Sequence, residues 1–165
     1  MDVTPPNTKF SFRNAKLTDL DFIHQEILSG SSKGHFSELF LTSEGSNGLK
    51  LNLISILTSK RRLDSDQPAY GIIYHHNGKS LGFMINSSIH GNTGTEIWMM
   101  GISQNYQGNG HGSALLNKVM EHMSEYNGVI MARCHPASER MYNMFLNRGF
   151  KHEETGGSGT RCLLR

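Results

Sequence analysis

The chain has 165 residues, 36% of them hydrophobic and 18% charged, enough for one domain with a real core and too few to expect two. A net charge of +2 is too small to argue for a nucleic-acid or membrane surface. Two cysteines, Cys134 and Cys162, form no C-x-x-C pair and suggest a reduced intracellular protein. The N-terminal MDVTPPNTKF has no apolar run of the signal-peptide kind, and nothing downstream approaches a membrane span, so a cytoplasmic protein is expected.

Taken in order, residues 1–8 are polar and Pro-containing and read as frayed. Residues 10–13 alternate like a strand. Thr18 with Asp21 three residues later is a capping-box-like helix start, followed by a stripe of Phe22, Ile23, Ile27 and Leu28. Residues 30–34 end that helix. An apolar piece over residues 36–41 precedes a second break at Gly45-Ser46-Asn47-Gly48. Residues 49–60 fit a helix through Leu49, Leu53, Ile56 and Leu57, and their length favours it over a strand. Lys60-Arg61-Arg62 closes it, either as a solvated cationic helix end or as a patch for an acidic substrate.

From residue 69 the pattern turns to sheet. Residues 69–75 and 79–89 flank Asn77-Gly78, a two-residue hairpin signal. A turn over residues 91–94 leads to a third strand over residues 95–102. A glycine-rich turn, Gln107-Gly108-Asn109-Gly110-His111-Gly112, then opens a helix with Leu115, Leu116, Val119, Met120 and Met123 on one face. Residues 129–132 read as a buried strand parallel to its predecessor across that helix. Residues 137–147 form a helix with Met141, Met144 and Phe145 inward, stopped by Gly149. Residues 150–155 and 160–164 pair as a terminal hairpin.

The glycine turn is the most informative stretch. Alternating glycines let successive amides face one concavity, at the positive end of a helix dipole, where a phosphate or pyrophosphate binds. No Lys follows the glycines, which speaks against a nucleoside-triphosphate loop, and G-x-G-x-G is not the dinucleotide spacing.

The pattern Gln-x-x-Gly-x-Gly, preceded by Ile102 and followed by Ser113-Ala114-Leu115-Leu116, resembles the acetyl-CoA-binding motif of the GNAT superfamily of N-acetyltransferases. The element order is similar too, and the resemblance covers the chain from about Phe10 onward, most weakly over residues 29–66. It implies a single domain over residues 1–165, of mixed α/β (α+β) class. A mostly antiparallel central sheet of about six or seven strands is flanked by about four helices.

The resemblance implies that Gln107, Gly108, Asn109, Gly110, His111 and Gly112, with Ser113 beside them, hold the CoA pyrophosphate. Met100, Gly101 and Ile102 contact the pantetheine arm through main-chain atoms, on a strand that splays from residues 129–133. A main-chain amide near Met100 also polarises the thioester carbonyl. Ser138 stands where the family often has an Asn that bonds this arm, and it is equally an ordinary helix cap.

Amide formation needs a neutral amine and hence a base. Glu96, in a strand rich in Ile, Trp and Met where burial disfavours the charged carboxylate, is the candidate; an exposed strand-start residue is the plain alternative. The histone-acetylating branch of the family is similar, with a Glu at this offset. Many members place a general-acid Tyr five residues before the Gly-Phe phenylalanine. Here that position is Phe145, which has no proton to give, as in the same branch. Tyr142, one helical turn earlier, is a substitute acid only if the helix is rotated.

Cys134 reads as a small core residue rather than an acyl carrier, and scattered His90, His111 and His135 give no metal-ligand spacing, so no metal is expected. The expected activity is acetyl transfer from acetyl-CoA to a primary amine by direct attack in a ternary complex. The acceptor, small molecule or protein, is not specified, and a homodimer is left open. The alternative is a non-catalytic acyl-CoA-binding sensor of the same fold.

Overall fold

A computed structural model describes residues 10–165 of the chain, so the N-terminal expectation lies outside the described residues. Seven strands form one sheet in the order β1-β2-β3-β4-β5-β7-β6. They are β1 (Ser11–Asn14), β2 (Ala69–His76), β3 (Lys79–Ser88), β4 (Gly94–Ile102), β5 (Val129–Cys134), β6 (Lys151–Thr155) and β7 (Arg161–Leu164). Four α-helices accompany them: α1 (Leu20–Ser32), α2 (Ser43–Ser59), α3 (His111–His122) and α4 (Glu139–Leu146). Every pairing is antiparallel except β4 with β5, as the intervening helix requires.

The sheet is covered on both faces. Ile23 and Ile27 of α1 and Leu49, Leu53, Ile56 and Leu57 of α2 pack on Ile73, Phe83, Ile85 and Met99. On the opposite face, Leu115, Leu116 and Val119 of α3 with Phe145 of α4 pack on Ile72, Tyr74, Met84, Ile97 and Met100. These are the stripes the 3.6-residue period picks out. The β2–β3 hairpin turns on Asn77 and Gly78, both at positive φ (50° and 77°), the type I′ geometry that an Asn-Gly pair favours.

Two boundaries differ from the sequence reading. Residues 45–48 are not a break but the first turns of α2, whose N-cap is Thr42; its Oγ1 accepts the Gly45 N–H at 3.0 Å. The buried stripe that follows and this cap together outweigh the poor helix propensity of two glycines. Ahead of α1 the capping carboxylate is Asp19 rather than Asp21, and it closes the 3-10 turn Leu17–Asp19 that leads into the helix. Its Oδ2 accepts the Lys16 N–H at 2.8 Å, and both its oxygens take Arg13 N–H groups at 2.7 Å.

The basic triplet after α2 is engaged internally. Lys60 adopts the left-handed C-cap conformation, Arg61 pairs with Asp66, and Arg62 pairs with Asp64 while its guanidinium lies 3.8 Å over the Trp98 ring. No helix among the described residues is long and apolar enough to cross a membrane.

Candidate active site

The parallel pairing of β4 with β5 ends early. It runs from Gly94↔Val129 to Ile97↔Ala132, whereas β4 goes on pairing with β3 as far as Ile102↔Gly82 and β5 goes on with β7 through Cys134↔Arg161. At the parting point β4 carries a bulge. Ile85 pairs Met99 and Asn86 pairs Ile97, so Trp98 is the extra residue. A bulge bends its strand and increases the local twist, which turns the end of β4 away from β5. The result is a gap in the middle of the sheet edged by the main chain of residues 98–102.

A cleft of about 770 Å³ fills this gap. Its walls come from both sides of the sheet: Phe36, Phe40 and Trp98 belong with the α1/α2 packing, and Ile102, Met141, Met144 and Phe145 with the α3/α4 packing. The cleft thus reaches both faces.

At one mouth lies the glycine turn. Gly108 and Gly110 sit at φ +82° and +83°, and a Cβ added to either would meet nothing within 4 Å. The first amide of the turn region to close on the helix is that of Ala114, which donates to the Gly110 carbonyl at 3.0 Å. The N–H groups of residues 108–113 donate to no acceptor among the described residues. Consecutive unpaired amides at a helix start, with open space where side chains would stand, form a cradle that fits a phosphate or pyrophosphate.

Most of the expected site residues meet in this one cleft: Glu96, Met100, Gly101, Ile102, Gln107, Gly108, Gly110, Gly112, Ser113, Ser138 and Phe145. Asn109 does not line it. The side chain of His111 faces the other way, its Nδ1 at 2.9 Å from the buried Tyr74 hydroxyl, so only its main chain belongs to the cradle. Gln107 donates its side-chain amide to the Ile102 carbonyl at 2.8 Å and pins the turn to the end of β4.

Tyr142 is not brought to the cleft. Its hydroxyl bonds His152 Nδ1 at 2.9 Å and its ring carries the Arg161 guanidinium at 3.9 Å, so it faces the β6–β7 hairpin. Phe145 lines the cleft and is buried against Phe150, with a ring separation of 4.9 Å.

Glu96 is 5% exposed, but its surroundings are not purely apolar. Arg133 donates Nε–H to its Oε1 at 2.8 Å, and its Oε2 has no partner among the described residues. Cys134 lines the cleft as well. Burial pushes its thiol up to about 12, more than Arg161 nearby brings it down, which leaves no thiolate for acyl transfer at neutral pH.

Sequence reasoning missed His35. The end of α1 is a Schellman turn in which His35 N–H donates to the Gly30 carbonyl at 2.9 Å and Gly34 N–H to Ser31 at 3.1 Å, with Gly34 at φ +82°. This geometry sets the His35 imidazole in the cleft, its Nδ1 2.8 Å from Ser138 Oγ. Ser138 occupies the N-cap position of α4, yet its side chain makes no cap bond, because His35 takes it. The signal that could have found this was the Gly34-His35 pair directly after a helical stripe.

Residues 38–150 match the sequence profile of the acetyltransferase (GNAT) family. The chain belongs to this family of N-acetyltransferases. Its fold is similar to that of the PaiA N-acetyltransferase from Thermoplasma acidophilum, solved in complex with coenzyme A. That likeness has 17% identity and a TM-score of 0.74, over 95% of this chain and 98% of that one. An acetyltransferase of the GNAT family from Streptococcus pneumoniae (16% identity, TM-score 0.71, 95% and 98% covered) is similar in the same way. So is the spermidine N-acetyltransferase from Vibrio cholerae, solved with CoA and spermine (16% identity, TM-score 0.68, 96% and 94% covered). No curated protein sequence matches the chain.

Proposed function

We propose that this protein, as a single domain, transfers an acetyl group from acetyl-CoA to a primary amine by direct attack within a ternary complex. The observation that carries this reading is the meeting, in one cleft, of an unpaired strand edge and a cradle of free amides. The pyrophosphate would lie on the main-chain amides of residues 108–113, and the pantetheine arm along Met100, Gly101 and Ile102. Because lining residues come from both faces of the sheet, carrier and amine can approach the thioester carbon from opposite sides.

Glu96 is the proton acceptor that turns the incoming ammonium into a nucleophile, directly or through one water. Its Oε2 is the oxygen left for this task, while Arg133 on Oε1 fixes the orientation of the carboxylate. The complexes of similar folds with CoA, and in one case with spermine, support an acyl-CoA donor and an amine acceptor without defining the amine.

Calorimetry with CoA and acetyl-CoA, followed by free-thiol release in the presence of an amine panel, tests the reading. Heat on titration and thiol release with at least one amine are expected. No binding, or binding without turnover across the panel, would overturn it.

A further inference from the structure

Acetylation of an ammonium group releases two protons from nitrogen. The first leaves before attack, and the second leaves once the C–N bond has formed. The sulfur, meanwhile, departs with the electron pair of the C–S bond and takes up one proton. Glu96 accounts for the first of these transfers, and neither Phe145 nor Tyr142 accounts for delivery to sulfur.

We propose that His35 and Ser138 form a relay that carries the second proton from the new amide nitrogen to the departing thiolate. The inference rests on the proposed transferase reading. Three observations carry it. The two side chains lie 2.8 Å apart although 103 residues separate them in sequence. Both line the cleft that also holds the β4 edge and Glu96. The Nε2 atom of His35 has no partner among the described residues, so it is free to meet a bound amine.

Both side chains are held in place from behind. His35 is set by the Schellman turn, and a Cβ on Gly34 would approach the Ala137 Cβ to 3.2 Å, so the turn lies directly against the start of α4. Ser138 is fixed by its own N–H bond to the His135 carbonyl at 2.9 Å, and its carbonyl accepts the Tyr142 N–H at 2.9 Å.

The proton balance closes. As the C–N bond forms and the C–S bond breaks, His35 Nε2 takes the nitrogen's proton. Nδ1–H passes its proton to Ser138 Oγ, and the Ser138 hydroxyl proton goes to sulfur. Exchange with water returns the imidazole to its starting tautomer, and Glu96 gives its proton to solvent, so the net release is one proton per ammonium acetylated. The relay needs a neutral imidazole. Burial, with Lys33 and His135 nearby, lowers the His35 pKa and favours that form. The other charged groups that face the cleft are Glu26, Glu96 with Arg133, and Arg140.

The test has two stages. In the first, protein labelled with 15N-histidine is titrated with CoA, and the His35 ring is assigned by its absence in His35→Gln. A shift of that ring on binding, abolished in Ser138→Ala, is expected. In the second, thiol release is measured with acetyl-CoA and a panel holding spermidine and a lysine peptide. His35→Ala and Ser138→Ala should each lower kcat by ~100-fold with little change in the KM for acetyl-CoA. The double variant should be no slower than either alone. The acidic limb of the rate profile should lose one of its two protonation steps in His35→Ala and keep the one at Glu96. Additive losses, wild-type rates in either single variant, or a silent His35 ring in protein that binds CoA would overturn the relay. Failure to bind CoA at all would instead overturn the transferase reading, and the relay with it. Binding of CoA without acetylation of any amine in the panel would likewise overturn the transferase reading and the relay with it.

Discussion

Arg133 reaches back from β5 to Glu96 on β4, Nε to Oε1 at 2.8 Å, just past the last parallel pair, Ile97↔Ala132. The ion pair spans the fork at which the two strands separate. It therefore sets the direction of a carboxylate whose second oxygen, the proposed proton acceptor, has no partner among the described residues. Glu96→Gln keeps an oxygen for Arg133 but removes the base. We expect kcat to fall by ~100-fold or more while CoA affinity and Tm stay close to wild type. Thiol release and calorimetry on the same preparation check this; an unchanged rate would remove Glu96 from the mechanism.

The cradle makes a backbone prediction. Gly110 holds φ +83° as the N-cap of α3, a conformation that costs an L-residue about 1–2 kcal/mol. Gly110→Ala should lower stability by about that amount and weaken CoA binding by more than the same factor, because the Cβ would stand where the phosphate is proposed to lie. Equal affinity in calorimetry would place the diphosphate elsewhere.

Two glycines of α2 give opposite outcomes. Gly48 is exposed inside the helix with nothing near an added Cβ, so Gly48→Ala should stabilise by ~0.5–1 kcal/mol. At Gly45 the Cβ would collide with the Leu39 carbonyl oxygen, and Gly45→Ala should cost about 1–3 kcal/mol. Urea midpoints of the two variants should move in opposite directions.

Asp19 supplies a pH dependence. Burial pushes its carboxyl up, but the two Arg13 hydrogen bonds and the Lys16 amide outweigh this and hold it below the usual carboxylate value. The unfolded chain therefore takes up the proton first as pH drops. The contribution is complete above the unfolded-chain value near 3.9 and is lost as pH falls through the lower folded one. Asp19→Asn should cost roughly 1–3 kcal/mol at neutral pH and flatten the acid end of the stability curve. An acid limb identical to wild type would argue against it.

Cys134 should resist iodoacetamide at pH 8 in the folded protein, since burial holds its thiol in the protonated form. Mass spectrometry should find it alkylated only after denaturation.

The sheet was legible because Asn77-Gly78, the alternation around it and the apolar run at 129–132 are local signals with one reading each. So was the glycine cradle, whose requirement is carried by the glycines themselves. Residues 45–48 misled because a cap and a distant core, not propensity, decide that helix. Tyr142 turned out of the cleft because His152 and Arg161, distant in sequence, hold it. Gly34-His35 marked only a helix end; the partner that places His35 at the site, Ser138, becomes a neighbour only after the chain folds.

A passage that pierces the sheet from face to face has a bearing on traffic. Used coenzyme and finished amide would have separate doors, so neither has to wait for the other to go. Free CoA would then compete with its acetylated form but not with the amine, whatever that amine proves to be.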